Sequence, residues 1–288
     1  WTLSRGLGDV YKRQVEAGFE DGACYPHRGF SCSRNAMPFV GTKLKTFHNF
    51  AIATLPEIYP GNSLGKSLRV EANTLSSGIF RNDGKGHFSF EPLPGLAQVS
   101  PSFGSAFLDA TGNGHPDIFL SQNFFGPQVE TRPMKNGLSL ILEGDGTGQF
   151  TEVPAATSGI IIPEDAKSVI TTDLNGDGRL DLLVGVNDGP TRSFLRSSGP
   201  LPYEVSLKGP PGNRRGIGAR ISIRLSDDSS RIGEIRAGAG YLSQGPAIFN
   251  FTTPSGVAPT ASTVQWPDGT VTKSRFPKGE REILIPKH

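Results

Sequence analysis

A loop pattern rich in glycine and in oxygen-bearing side chains occurs twice in this chain. Residues 109–121 read DATGNGHPDIFLS and residues 173–185 read DLNGDGRLDLLVG, so the two copies lie 64 residues apart. Each copy ends in a short apolar run. Self-similarity at a fixed period is typical of proteins that stack one supersecondary unit, and it restricts the fold more than any other feature of this sequence.

The turns between these loops repeat as well. FRNDGKGHF at 80–88 returns as LEGDGTGQF at 142–150, which is 62 residues later. Segments rich in Val, Ile, Leu and Thr, such as SVITTD at 168–173, flank the loops and predict strands. LSLILEGDGTGQFTEV at 138–153 is typical of a hairpin. The repeating unit therefore has about 60 residues and about four strands.

Four-stranded units repeated around an axis form a β-propeller, which closes with about 4–8 blades. The segment 78–93 is typical of the outer hairpin of a preceding blade. The predicted fold class is therefore mainly β. We expect a partial propeller of about three blades over residues 78–200, with a short helical insertion before it and a small all-β domain over residues 201–288 after it.

Residues 15–77 are predicted to be a partly helical connector between blades. KTFHNFAIATLPEIY at 45–59 spaces its apolar residues at helical intervals, with Thr46 as the N-cap and Pro60 as the stop. A further helix is expected around residues 64–75.

Two features stand out in the first 32 residues of the chain. Residues 1–14 include GDVYKRQ, which resembles a translated sequencing-adapter artefact, so we expect this stretch to be non-native. Cys24 and Cys32 fit no zinc pattern. Either a local disulfide or two thiols is compatible with their spacing.

After residue 200 the repeat pattern ends, and the sequence predicts six short strands. They are expected at 203–209, 219–225, 231–238, 247–253, 262–276 and 282–286. Residues 203–288 hold twelve Lys or Arg against seven Asp or Glu, a net charge of +5. This segment is therefore predicted to be a separate β domain with a mildly basic surface.

Composition limits the classes of partner. The chain holds 37 Gly and 23 Pro among 288 residues, which favours short strands and tight turns over long helices. Its net charge is only +2, so we predict no nucleic-acid partner. No apolar run approaches the ~18 residues that a membrane span needs, so no membrane span is predicted.

The second loop has the chemistry of a cation site. Asp173, Asn175, Asp177 and Asp181 stand at positions 1, 3, 5 and 9, and the glycines between them permit the positive φ angles of a tight curl. Calcium takes about 6–8 oxygen ligands, and the backbone carbonyl of Arg179 can supply another. We expect the Arg179 side chain to point outwards.

Two other loop types have a similar composition. An EF-hand needs Glu at position 12, where this loop has Val184, and helices on both sides. That reading fails, because the flanking segments are predicted strands. A metal-free Asp/Asn/Gly turn is the simpler alternative.

The first loop keeps the spacing with fewer charges. Asp109, Thr111, Asn113 and Asp117 supply only two carboxylates, and His115 occupies the backbone-carbonyl position. Because the number of charged ligands tunes affinity, this second candidate metal loop is predicted to bind more weakly or not at all. The turns at 82–84 and 144–146 lack the full spacing and are predicted to be hairpin turns only.

These motifs resemble a known combination of families. The loops resemble the calcium sites of FG-GAP/VCBS propeller repeats, as in integrin α-subunit heads. That resemblance implies Ca²⁺ as the cofactor, with Asp173, Asn175, Asp177 and Asp181 as side-chain ligands. Residues 212–223, 236–244 and 264–270 resemble the ASPIC/UnbV domain, which follows such repeats in bacterial proteins and in a vertebrate cartilage acidic protein. The family implies an extracellular or periplasmic location.

The function expected from these features is non-catalytic. The leading hypothesis is a calcium-binding repeat protein that interacts with a protein or glycan. The alternative is a polysaccharide-acting enzyme or accessory subunit, with a pocket near the Gly-rich loop that carries Tyr241, and a third is a structural spacer. GNSLG at 61–65 fits G-x-S-x-G by chance, since no strand is predicted before it. No catalytic residue is therefore assigned.

Overall fold

The computed structural model describes residues 2–3, 13–127 and 132–287, with side chains from Val15 onward. Strands account for 37% of the chain and helices for 14%, which confirms the prediction of a mainly β fold. The chain divides into two compact units, residues 1–75 and 76–288. Within the described residues, no helix is long and apolar enough to cross a membrane.

The first unit combines small strands with short helices. Its strands are β1 (Thr2–Leu3), β2 (Arg13–Gln14), β3 (Ala17–Glu20) and β4 (Ala23–Pro26). Its helices are α1 (Phe30–Ala36), α2 (Pro38–Leu44), α3 (Phe47–Ile52), α4 (Leu55–Ile58) and α5 (Gly61–Gly65). The prediction that residues 1–14 are non-native concerns residues that, apart from β1 and β2, lie outside the described part of the chain. Cys24 and Cys32 are both thiols.

The helical prediction for residues 45–59 is confirmed with one break. Thr46 caps α3 by accepting a hydrogen bond from the Asn49 N–H at 3.1 Å. Thr54 then starts α4 through a capping box with Glu57, so the segment forms two helices.

The further helix expected at 64–75 is wrong beyond Gly65, where α5 ends. Leu68 and Leu75 stay 60% and 89% exposed, so the apolar side chains of this segment have no core to pack against.

The second unit begins with parts of three propeller-type sheets. A hairpin pairs β5 (Gly78–Asn82) with β6 (Phe88–Pro92). A four-stranded antiparallel sheet follows, formed by β7 (Ser102–Leu108), β8 (Asp117–Gln122), β9 (Leu140–Gly144) and β10 (Phe150–Val153) in that spatial order. After α6 (Ala155–Ser158), a three-stranded sheet contains β11 (Ala166–Thr172), β12 (Asp181–Val186) and β13 (Arg192–Phe194). This agrees with the predicted parts of about three blades.

Apolar packing joins the two larger sheets. Strand β8 is buried at all six positions, and its Phe119 is fully buried. Phe119 belongs to the same core as Ile141, Val169 and Val184. The first strands of the two sheets, β7 and β11, lie next to each other. The loops after β7 and β11 are therefore held on a common rigid base.

Two sheets packed over a separate core form the C-terminal part. The strands are β14 (Tyr203–Lys208), β15 (Arg220–Leu225), β16 (Ser230–Glu234), β17 (Ile248–Phe251), β18 (Pro259–Gln265), β19 (Val271–Arg275) and β20 (Glu282–Pro286). One sheet has the order β17-β14-β20, with β14 and β20 parallel, and the other has the order β16-β15-β18-β19. Residues 262–276, predicted to be one strand, belong instead to a hairpin of two.

Gly269 shapes the turn of that hairpin, and Trp266, just before the turn, packs into the core of the domain. Gly269 takes a φ of +84°, which closes the turn between β18 and β19. Trp266 is 2% exposed, and its Nε1–H donates to the Thr272 hydroxyl at 2.9 Å. Trp266 is therefore a core anchor.

Candidate metal-binding loops

The two repeated loops occupy equivalent places in neighbouring sheets. Residues 109–117 connect β7 to β8, and residues 173–181 connect β11 to β12. In the strand register, Leu108 pairs with Asp117 and Thr172 pairs with Asp181. Antiparallel pairing therefore brings the first and last Asp of each loop to the same end of its sheet.

Asp173 holds the second loop in its curl. Its Oδ1 accepts the Gly176 N–H at 2.7 Å, and its Oδ2 accepts the Gly178 N–H at 2.8 Å. Both glycines have positive φ, +78° and +81°, as the sequence predicts. The hydrogen bond from Gly178 is the largest cause of the lowered pKa of Asp173, so this carboxylate stays anionic at neutral pH.

The first loop has the same scaffold. Asp109 accepts the Gly112 N–H at 2.6 Å through Oδ1 and the Gly114 N–H at 3.0 Å through Oδ2. The φ angles of these glycines are +86° and +84°. The backbone path of both loops is thus set by one Asp and two glycines.

The last Asp of each loop ties it to backbone that lies beyond the following strand. Asp117 and Asp181 are 0% and 1% exposed, and the Oδ2 of each accepts a loop N–H, at 2.8 and 2.9 Å. Their Oδ1 atoms accept the N–H of Gly144 and of Arg196, both at 2.8 Å. Burial raises the pKa of Asp117, against the hydrogen bonds that lower it.

The middle of the second loop faces solvent. Asn175 and Asp177 are exposed. Asp177 accepts the Arg179 N–H at 2.8 Å through Oδ1, while its Oδ2 lies 3.6 Å from Arg179 Nη1. The expectation that the Arg179 side chain points outwards is therefore wrong, because the guanidinium turns back to the carboxylate.

The donor set of residues 173–181 fits a hard cation in its chemistry, with three carboxylates and one amide oxygen. Within residues 15–127 and 132–287, no three His, Cys, Asp or Glu side chains are arranged to hold a metal ion. Both oxygens of Asp173 and of Asp181 accept N–H groups. To coordinate an ion, some of these carboxylate oxygens would have to direct a second lone pair towards it.

Further negative charge lies beside the second loop. Glu204 of β14 is the register partner of Glu282 on the parallel strand β20. The pKa of Glu204 is raised, first by burial, then by the charge of Glu282 and then by that of Asp173. Glu282 and Asp173 thus both repel the Glu204 carboxylate, so a cation near Asp173 would relieve part of the repulsion.

In the first loop, the middle position is occupied by contacts with the protein itself. Asn113 donates its amide hydrogens to Glu143 Oε1 at 3.1 Å and to the Gly144 carbonyl at 3.0 Å. Its Oδ1 accepts the His115 N–H at 2.8 Å. The Asn113 side chain is thereby committed to β9, and Thr111 carries no charge. These residues do not fit a metal ion.

Two arginines contact this first loop from outside it. Arg196, after β13, donates to the carbonyl of Asp109. Arg231 of β16 donates to the Gly114 carbonyl at 2.8 Å and to the Thr252 carbonyl at 3.2 Å. Burial lowers the pKa of Arg231, while Asp227 and Asp109 act in the opposite direction. The C-terminal domain thus rests on loop 109–117 through a half-buried guanidinium.

Sequence reasoning missed both arginines as functional contacts. Arg231 lies 117 residues after its loop partner Gly114, and Arg196 lies 87 residues after Asp109. No local pattern marks such distant pairs. The usable signal was the uncharged pair of residues at 111 and 113, which distinguishes the first loop from the second.

The Gly-rich loop that carries Tyr241 is docked on the blades. It borders a shallow depression of about 690 Å³ lined by residues 237–239 and 241–244. Gly240 accepts the Val169 N–H at 2.9 Å, and Ser243 Oγ donates to the Val169 carbonyl at 3.1 Å. The Tyr241 ring packs edge-on against Phe103 at 5.2 Å. Its polar and aromatic groups therefore anchor the loop to β7 and β11.

Lys167 supports the blade surface on which this loop packs. Lys167 Nζ lies 3.4 Å from the centre of the Phe103 ring and 2.6 Å from Asp165 Oδ1. It also donates to the Asn123 carbonyl at 2.7 Å. Phe103 thus contacts both the Lys167 ammonium group and the Tyr241 ring, so the surface of β7 and β11 under the Gly-rich loop is well packed.

Two other sequence motifs have structural places. GNSLG at 61–65 forms helix α5, so its serine does not stand on a strand-to-helix elbow. Asp83 and Asp145 each accept two backbone N–H groups within their turns, in the β5–β6 and β9–β10 hairpins. The prediction that these turns are hairpin turns is confirmed.

The sheets and loops define a repeat protein of the propeller type with a C-terminal β domain. Residues 135–184 match the model of the FG-GAP-like repeat, and residues 209–288 match the model of the ASPIC and UnbV domain. The chain therefore contains an FG-GAP-like repeat and a C-terminal ASPIC/UnbV domain, as the sequence motifs predict. No curated protein matches the chain. The FG-GAP match contains all of loop 173–181 and none of loop 109–117.

Proposed function

We propose that this chain is a non-catalytic, calcium-binding repeat protein that acts in the extracellular or periplasmic space and interacts with a protein or glycan. Asp173, Asn175, Asp177 and Asp181 would hold Ca²⁺ together with the carbonyl of Arg179. The ion would supply positive charge and rigidity to the loop, and no chemical step depends on it.

The observation that carries this proposal is the contrast between two loops with one backbone path. At 173–181 the middle residues are Asn175 and Asp177, both exposed. At 109–117 their counterparts Thr111 and Asn113 carry no charge, and two arginines contact the loop. Three carboxylates at 173–181, with Glu204 nearby, favour a divalent cation from solvent.

Location outside the cytoplasm is supported by the need for free calcium. A loop with three carboxylates binds calcium more weakly than sites with more charged ligands, and weak sites serve extracellular modules, where Kd is about 10⁻⁴–10⁻³ M. The FG-GAP and ASPIC/UnbV matches agree with such a setting.

A calcium titration followed by thermal unfolding tests this proposal. An ion that binds only the folded chain should stabilise it by ~2.7 kcal/mol at a hundredfold excess over Kd. Asp177→Ala should remove most of this gain relative to its own baseline in EDTA. Asp145→Ala, which removes an exposed turn carboxylate, is the matched control and should keep it.

Two results would contradict the calcium proposal. One is a wild-type chain whose unfolding temperature does not respond to calcium. The other is an Asp177→Ala variant with the full calcium response.

A further inference from the structure

The outer face of the four-stranded sheet of the C-terminal domain is a regular grid of polar groups. The strand register places three cross-strand rows on this face, from β16 to β19. The rows are Ser230, Arg224, Ala261, Arg275; then Ile232, Ser222, Thr263, Lys273; then Glu234, Arg220, Gln265, Val271. The opposite face carries the buried Ile221, Ile223 and Val264.

This outer face points away from the contact with the blades. On β16, Arg231 lies on the inner side and donates to Gly114 of the first loop. Its neighbour Ile232 lies on the outer side and is 57% exposed. Strand alternation thus separates a blade-facing side from a free side.

Cations without carboxylate partners dominate the free side. Arg220, Lys273 and Arg275 are exposed, and within the described residues none of them forms an ion pair with a carboxylate. Arg224 pairs with Asp228 at 2.7 Å, and Glu234 lies 3.5 Å from Arg236. The face therefore has a surplus of positive charge that the protein itself does not neutralise.

The spacing suits a polymer that carries repeated anionic groups. Lys273 and Arg275 are two residues apart on one strand, ~7 Å, and Arg224 lies two strands from Arg275, ~10 Å. Between the cations stand Ser222, Thr263 and Gln265, whose hydroxyl and amide groups can bond sugar hydroxyls. The residues of the grid include no aromatic ring on which nucleic-acid bases could stack.

We infer that this face, Arg220, Arg224, Lys273 and Arg275 with the polar groups between them, binds an acidic polysaccharide. Guanidinium and ammonium groups bind carboxylate or sulfate by charge-assisted hydrogen bonds. The inference rests on the interaction role proposed above and names the class of partner. It does not depend on the calcium loop.

Binding to immobilised polysaccharides in EDTA tests this inference. Heparin presents sulfates, polygalacturonate presents carboxylates, and dextran is the neutral comparison. The wild-type chain should bind heparin or polygalacturonate, weaken as NaCl rises, and leave dextran unbound. The stronger of the two acidic polymers identifies the anionic group.

Two triple variants locate the binding surface. Replacing Arg220, Lys273 and Arg275 by Gln should weaken binding by at least about tenfold, because three charge contacts are lost. Replacing Arg214, Arg215 and Lys278 by Gln removes the same charge from loops of the same domain, and binding should change by less than about threefold. Thermal unfolding in EDTA checks that both variants are folded.

Three results would overturn the inference. The wild type does not bind either acidic polymer, or both triple variants weaken binding equally, or single-stranded DNA binds as tightly as the polysaccharides. Any of these can occur with an intact calcium response in the melt, so failure here is distinguishable from failure of the calcium proposal.

Discussion

Loops 109–117 and 173–181 share their scaffold and differ in what surrounds it. In both, the first Asp accepts the N–H groups of two glycines with positive φ, and the last Asp is buried and bonded to backbone beyond the following strand. Asn113 in the first loop is bonded to β9, and Arg231 of the C-terminal domain contacts the Gly114 carbonyl. The second loop keeps Asp177 at the equivalent place, facing solvent. The backbone path alone therefore does not decide what such a loop binds.

The largest difference between the loops should appear when their second glycines are replaced. A Cβ at Gly114 would lie 2.3 Å from the backbone nitrogen of Pro254, whereas one at Gly178 would meet only Leu201 Cδ2 at 3.3 Å. Gly114→Ala should cost about 3 kcal/mol or more, since backbone must move. Gly178→Ala should cost about 1–2 kcal/mol, from its positive φ and a small shift of the flexible Leu201 side chain. Urea unfolding in EDTA measures both costs. Equal costs would contradict the closer packing around Gly114.

Removing the arginine that contacts the first loop should have an intermediate effect. Arg231→Met leaves the carbonyls of Gly114 and Thr252 without this donor, which should cost about 2 kcal/mol. Arg224→Met, one strand away, breaks an exposed ion pair and should stay within about 0.5 kcal/mol.

Hydrogen exchange localises the effect of Arg231→Met. Amide exchange in residues 109–117 should accelerate in this variant and stay unchanged in residues 173–181. Unchanged exchange in the first loop would mean that Arg231 does not hold it.

The smallest difference is in acid titration. The pKa of Asp117 is raised above the ordinary 3.8 by burial, and that of Asp173 is lowered below it by backbone hydrogen bonds. Asp117 therefore favours folding below its ordinary pKa, and this contribution is lost as pH rises through the raised pKa. Asp173 favours folding above pH 3.8, and its contribution is lost as pH falls through the lowered pKa.

Carboxyl carbon NMR on the metal-free protein measures both titrations. The midpoints should lie on opposite sides of 3.8, with Asp117 higher. A lower midpoint for Asp117 than for Asp173 would remove this difference between the loops.

Local features of this fold could be predicted from sequence, because their causes are local. Strand alternation at Ile221 and Ile223, the hairpin turns at 82–84 and 144–146, and the Thr46 cap all depend on residues within a few positions of one another. The positive φ angles of the loop glycines follow from the same kind of signal.

Long-range features could not be predicted from the same patterns. Arg231 is opposite Gly114 only because two separate β modules pack together, and no spacing in the sequence encodes that. The helix expected over 64–75 ended at Gly65 because its Leu side chains lacked a surface to cover. The inward turn of Arg179 depends on the position of Asp177 in the folded loop.

The shared scaffold also bears on how such repeats diversify. Because Asp109 and Asp173 fix their loops through the N–H groups of two glycines, the backbone path does not require one particular pair of side chains two and four places later. At the fourth place Asn113 bonds the neighbouring strand β9, whereas Asp177 stays exposed. Such a blade can therefore change the charge of its loop while the two strands beneath keep their pairing.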